Sequence, residues 1–161
     1  RIRSMALVHE RLYRSDDLIY IDFELYLHDL TDHLLRSYGI PGKGIRLKIE
    51  ANDIQLNIDT AITCGLLVNE LVSNALKHAF PDGRDGEIAI EMRCGVDGQY
   101  RLMVCDDGRG MPAGLDWHNT TSLGMQLVNS LTRQLGGTVE MTTTPGTLFA
   151  IQFPAETLGK E

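Results

Sequence analysis

Residues 59–79 read DTAITCGLLVNELVSNALKHA. Wound at 3.6 residues per turn, the stretch divides into two sides. Ala61, Cys64, Val68, Val72, Ala75, Leu76 and Ala79 share an apolar side, and Asp59, Thr63, Glu70, Asn74 and Lys77 share the opposite one. The spacing predicts a long helix opened by Asp59 and ended near Phe80-Pro81-Asp82-Gly83. Its polar side is unusual in kind. Asn69, Ser73 and Asn74 are mediocre helix formers, and a merely solvated face does better with Glu, Lys or Ala. An Asn amide oxygen is a hard, neutral ligand suited to Mg²⁺, which makes Asn74 a candidate metal ligand. Lys77, one turn on, could meet a phosphate. Glu70, one turn back, could orient water or poise an attacking group. For any one of these residues, an ordinary solvated face is the competing reading.

Outward from this helix, two glycine sites follow. Val104 to Pro112 reads VCDDGRGMP after a predicted strand. Gly108 and Gly110 there allow close backbone approach and positive φ. Asp106, at the strand's end, could accept a hydrogen bond from an exocyclic amine such as adenine N6. A plain Asp-Gly turn is the alternative. The run is neither a GxxxxGK[ST] loop nor a GxGxxG fingerprint. Thr121-Ser122-Leu123-Gly124-Met125 precedes an amphipathic helix predicted from Leu123 to Leu135 and stopped by Gly136-Gly137. Thr121 or Ser122 can cap it, and its first N–H groups would favour an anion such as ATP phosphates. The stretch between, Ala113 to Thr120, holds Trp117 and His118 and reads as a polar, mobile lid.

Strand signals complete the domain. Ile45–Ile49 alternates, Gly86–Arg93 and Tyr100–Cys105 pair across Val96-Asp97-Gly98, and Val139–Thr143 and Leu148–Phe153 flank Pro145-Gly146. Upstream, Asp22 can cap a helix running to about Ser37, and Ile2, Met5, Val8, His9 and Leu12 pattern a first helix over residues 1–14. Hairpins demand antiparallel pairs, so the expected fold is a two-layer α/β sandwich: a mixed sheet with helices on one face and a helix remnant in front. The domains expected are residues 1–20 as that remnant, 21–155 as the main domain and 156–161 as a tail.

The formal net charge of -7 argues against nucleic acid as the main partner, since phosphate backbones want a basic surface. A nucleotide stays open, because a divalent cation can screen its phosphates. Three scattered cysteines, Cys64, Cys94 and Cys105, lack CxxC spacing, which argues against a disulfide framework or zinc site and fits a reducing, cytoplasmic setting. No apolar run approaches a membrane span, so no membrane contact is expected of this chain. Arg1 in the first position leads us to expect a fragment of a longer protein, one that could be membrane-tethered.

Together these segments resemble the Bergerat-fold ATPases, the superfamily of DNA gyrase, the ninety-kilodalton chaperone, histidine kinases and MutL. Asn69–His78 looks like the N-box, Asp106–Gly110 like the G1 box DxGxG, Ser122–Val128 like the G2 box, and Gly146–Phe149 like the terminal G-T-x-F strand. The order and spacing of all four are specific where each alone is not. The likeness covers about residues 22 to 154. It implies that Asn74 ligates Mg²⁺, that Glu70 is the acidic N-box residue, and that Lys77 and His78 lie near phosphates. It implies that Asp106 binds the adenine amino group with Thr147 in the same network. Gly108, Gly110 and Gly124 would shape the turns around ATP, Met111 would line the base pocket, and Leu123 and Met125 would belong to the nucleotide-binding G2 segment.

Within the superfamily, RIRSMALVHERLY is similar to the second helix of the phosphoacceptor domain in HWE-like histidine kinases. There the phosphorylated histidine sits on the preceding helix, so His9 reads as structural. Two departures stand out: Trp117-His118-Asn119 does not supply a WxE motif, and the G2 segment carries one glycine. The expected activity is phosphoryl transfer from Mg·ATP to a histidine on a helical domain mostly missing here, then to an aspartate on a response regulator receiver domain. The full-length protein is expected to be a homodimer. The chain alone should bind Mg·ATP without phosphorylating itself. The rival readings are an anti-sigma-type serine kinase and a Bergerat-fold ATPase or nucleotide-binding module.

Overall fold

The computed structural model describes residues 20–40, 43–112, 114–119, 121–143 and 145–155. The helix expected over residues 1–14, with His9, and the tail from residue 156 lie outside the described residues.

The sheet strands are β2 (Ile45–Glu50), β4 (Gly86–Cys94), β5 (Gln99–Asp106), β6 (Thr138–Thr142) and β7 (Thr147–Pro154). They pair in the order β2-β4-β5-β7-β6. Only β2 and β4 run parallel; the other pairs are antiparallel, so the sheet is mixed as expected. Period-2 alternation assigns its faces. Ile90, Val104 and Phe149 stand side by side in register and are buried, while Arg93, Arg101 and Gln152 form an exposed row on the other face. Three helices cover the buried face: α1 (Phe23–Ser37), α2 (Ile58–His78) and α3 (Leu123–Gln134). This is the two-layer α/β sandwich the alternation of elements demanded.

Two short strands escaped the sequence reading. β1 (Tyr20–Asp22) and β3 (Gln55–Asn57) form an antiparallel ribbon, each only three residues long and so without a readable period. This ribbon seats both flanking helices. Asp22 caps α1 by accepting from the Leu25 N–H at 3.2 Å. Asn57, not Asp59, opens α2: its Oδ1 accepts from the Thr60 N–H at 2.9 Å. The helix therefore begins at Ile58, one residue earlier than predicted. Where α1 crosses α2, the Tyr26 ring fills the space a side chain at Gly65 would need.

The larger correction concerns the polar side of α2. Thr63, Asn69, Glu70 and Ser73 are all buried. The helix is covered on its polar side too, because α3 packs along it and buries Met125, Val128 and Leu131. Two buried threonine hydroxyls are met locally: Thr31 Oγ1 donates to the Leu27 carbonyl at 2.7 Å and Thr132 Oγ1 to the Val128 carbonyl at 2.8 Å.

Candidate functional site

A cleft of about 390 Å³, counted to its open mouth, lies between the C-terminal half of α2, the end of β5 and the start of β7. Its walls are mostly apolar: Leu71, Ala75 and Ala79 from α2, Val104 and Phe149 from the sheet, and Met111 from the turn after β5. Asn74, His78, Asp106 and Thr147 supply the polar groups, with Gly110 at the edge. An apolar slot with a few fixed polar atoms is the ordinary design of a small-ligand site.

Asp106 is half-buried at the end of β5, where strand pairing sets it opposite Thr147. Its Oδ1 accepts from the Gly108 N–H at 2.9 Å. Burial pushes the carboxyl above the usual aspartate range, while backbone N–H groups of Gly108 and Thr147 pull it down. One oxygen is thus anchored by the chain itself, which orients the other.

The turn after Asp106 is held by close contacts. Gly110 has φ +76°, as expected, and an added methyl would lie 3.0 Å from the Gly146 carbonyl oxygen. Gly108 does not need positive φ, contrary to expectation. It is required for space, since a methyl there would overlap the Ala79 carbonyl. The Arg109 N–H donates to that same carbonyl at 3.0 Å, stitching the turn to the end of α2. Asp107 and Arg84 were not singled out from sequence. Asp107 Oδ1 accepts from the Glu87 N–H at 2.8 Å, and Arg84 Nη2 donates to the Asp107 carbonyl at 2.9 Å. Nothing local in the sequence marks bonds over 20 residues or more.

The second glycine site meets the polar side of α2. A methyl on Gly124 would lie 3.0 Å from Glu70 Oε2 and 3.9 Å from Asn74 Oδ1. Gly124, Glu70 and Asn74 are therefore one cluster, beside the cleft rather than wholly within it. Among the other predicted site residues, His78 and Met111 line the cleft, whereas Lys77 is exposed and outside its lining. Leu123 is exposed and Met125 is buried in the core cluster, and neither lines the cleft. Ser122 stands at the N-cap of α3 without a side-chain cap bond, so the predicted hydroxyl cap does not form. The expected polar lid carries a buried residue: Trp117, in a 3-10 turn over Trp117–Asn119, packs edge-on to Phe149.

No group of three or more His, Cys, Asp or Glu that could hold a metal occurs among the described residues. No described helix is long and apolar enough to cross a membrane.

A family profile described as histidine kinase-, DNA gyrase B-, and HSP90-like ATPase matches residues 59–157, and one described as histidine kinase matches residues 1–38. Blue-light-activated histidine kinase 2 of Erythrobacter litoralis is 37% identical over 117 residues, 71% of this chain and 34% of that protein. Sensor histidine kinase PdtaS of Mycolicibacterium smegmatis is 30% identical over 161 residues, 96% of this chain and 31% of that protein. The chain thus spans about a third of the length of these relatives. The solved histidine kinase domain of the Erythrobacter litoralis EL346 blue-light activated histidine kinase superposes with a TM-score of 0.83 at 28% identity, covering 95% of this chain and 72% of that one. With the cleft and the two glycine turns in the matched region, the chain belongs to the histidine kinase-, DNA gyrase B-, and HSP90-like ATPase family.

Proposed function

We propose that this chain is the ATP-binding catalytic domain of a sensor histidine kinase and presents Mg·ATP to a histidine on a neighbouring helical domain. The observation that carries the reading is the apolar slot closed by the half-buried carboxylate of Asp106, with the Glu70–Asn74–Gly124 cluster beside it. The slot's donor and acceptor set suits a purine. Asp106, oriented by the Gly108 N–H, would accept from the adenine amino group, and Thr147 would support it. Met111 and Phe149 would flank the base.

Mg²⁺ commonly keeps several waters and takes one or two protein oxygens plus phosphate oxygens. That fits the single amide oxygen of Asn74 as its protein ligand. Gly124 lets the start of α3 come close to Glu70 and Asn74, so the N–H groups there would face phosphates, with Lys77 and His78 nearby. Glu70 would orient the incoming acceptor. When bound, Mg·ATP supplies the phosphoryl group and the cation that neutralises its oxygens. The chain's own part is positioning and charge complementarity. The phosphoryl group would pass onward to an aspartate of a response regulator receiver domain. The full-length protein would act as a homodimer with this domain on the cytoplasmic side. The pairing of Tyr20 with Asn57 supports a catalytic domain that begins near residue 20.

The test is calorimetric titration of the chain with a non-hydrolysable ATP analogue, with and without Mg²⁺. Asn74→Ala should abolish the Mg²⁺-dependent part of the affinity. Unchanged affinity in that variant, or no binding to the wild type, overturns the proposal.

A further inference from the structure

Trp117 is the one tryptophan of the chain and sits in a stretch that the function above leaves unused. A loop side chain of this size is usually at least partly exposed, yet Trp117 is only 6% exposed. Its ring meets Phe149 edge-on, with centroids 5.5 Å apart at 90°. Phe149 is also a wall of the cleft, two residues after Thr147 on β7. The indole therefore backs the surface on which the base would lie. The same 3-10 turn packs against α3, whose first residues include Gly124.

The turn is built to aim the ring inward. Asn119 Nδ2 donates to Asp116 Oδ2 at 2.7 Å, and the Asn119 N–H donates to the Asp116 carbonyl at 3.3 Å. The Asn119 amide holds the Asp116 carboxyl below the usual aspartate range. The Trp117 N–H donates to the Leu115 carbonyl at 3.1 Å, and the His118 ring lies tilted against the indole with centroids 3.8 Å apart. The turn thus meets both halves of the site: the base wall through Trp117 on Phe149, and the phosphate side through its packing on α3.

Resting on the nucleotide reading above, we propose that Trp117 is a positioning residue: its indole, seated on Phe149, anchors the Trp117–Asn119 turn that packs against α3 and so sets the phosphate-facing amides relative to the base slot. A tryptophan that only filled the core would lower stability without changing affinity well below the unfolding midpoint. A positioning residue changes affinity, and more for a triphosphate than for a diphosphate, because the two share the base.

The experiment compares wild type, Trp117→Phe and Trp117→Ala by calorimetry with Mg²⁺ and either ADP or a non-hydrolysable ATP analogue, at a temperature where circular dichroism shows each variant folded. Trp117→Ala should weaken the triphosphate analogue at least tenfold and ADP less than threefold, and Trp117→Phe should restore affinity to within threefold of wild type. In parallel, the lone indole reports directly, and its emission should shift when wild type is saturated with the analogue. This readout stands even if Trp117→Ala fails to fold. Affinity within twofold of wild type in folded Trp117→Ala, equal losses for both nucleotides, or unaltered emission in analogue-saturated wild type would each overturn the role of Trp117 while leaving the nucleotide reading intact. Failure of wild type to bind either nucleotide would instead overturn the nucleotide reading, and this role with it.

Discussion

At Asp106, burial raises the carboxyl's pKa while the Gly108 and Thr147 N–H groups oppose it, and burial wins. The folded protein then holds the proton more tightly than the unfolded chain. The stability that Asp106 contributes is therefore fully present below the ordinary aspartate value of 3.8 and is lost as pH rises through the raised folded value. Ligand binding runs the other way, because accepting an amino N–H from the base needs the ionised form. Nucleotide affinity should fall as pH drops through a midpoint above 3.8, and Asp106→Asn should flatten that profile. Calorimetry across the acidic range checks this; an unchanged profile in the variant would move the titrating group elsewhere. Asp106 was legible as a candidate because a carboxylate stands at a strand end before a glycine turn, and Thr147 only through the family resemblance; the structure sets the two opposite each other in the cleft lining. Gly108 was legible as a place of close backbone approach, though not by positive φ; the partner it approaches, the Ala79 carbonyl at the end of α2, was not legible.

Among the elements, α2 carries most of the candidate site, and its register starts at Asn57. Exchanging an Asn cap for Ala costs about 1 kcal/mol in typical hosts. Asn57→Ala should lower the urea unfolding free energy by about that much, whereas Asp59→Ala, at a position that does not cap, should change it by less than about half as much. Equal effects would restore Asp59 as the cap. The periodicity of residues 59–79 located the helix to within a residue, but it cast Thr63 and Glu70 as solvent-facing. They are buried because α3 lies across them, and a helical wheel has no knowledge of a second helix. The β1–β3 ribbon was invisible for a different reason: three residues give no period, and only their mutual pairing makes them strands.

For the molecule as a whole, the cleft brings α2, β5, β7 and the post-β5 turn together. A ligand that binds only the folded state stabilises it by about 2.7 kcal/mol at a hundredfold excess over Kd. For a domain of this size that corresponds to a midpoint shift on the order of 5–10 °C. Mg²⁺ with the ATP analogue should produce such a shift in wild type and a much smaller one in Asn74→Ala. Differential scanning calorimetry reads both, and equal shifts in the two proteins would count against Asn74 as the metal ligand.

The amino-acid order alone determined where the long helices and sheet strands run, because side-chain period, caps and glycine punctuation act over a few neighbouring residues. It also picked out Asn74, Asp106 and Gly110 as site candidates, and these line the cleft. Tertiary structure decided which polar residues lost water, that Gly124 abuts Glu70 and Asn74, and that Trp117 leaves the presumed lid to pack on Phe149. Those outcomes depend on which surfaces meet across long chain separations, and that is settled by packing the whole sandwich rather than by any local run of residues.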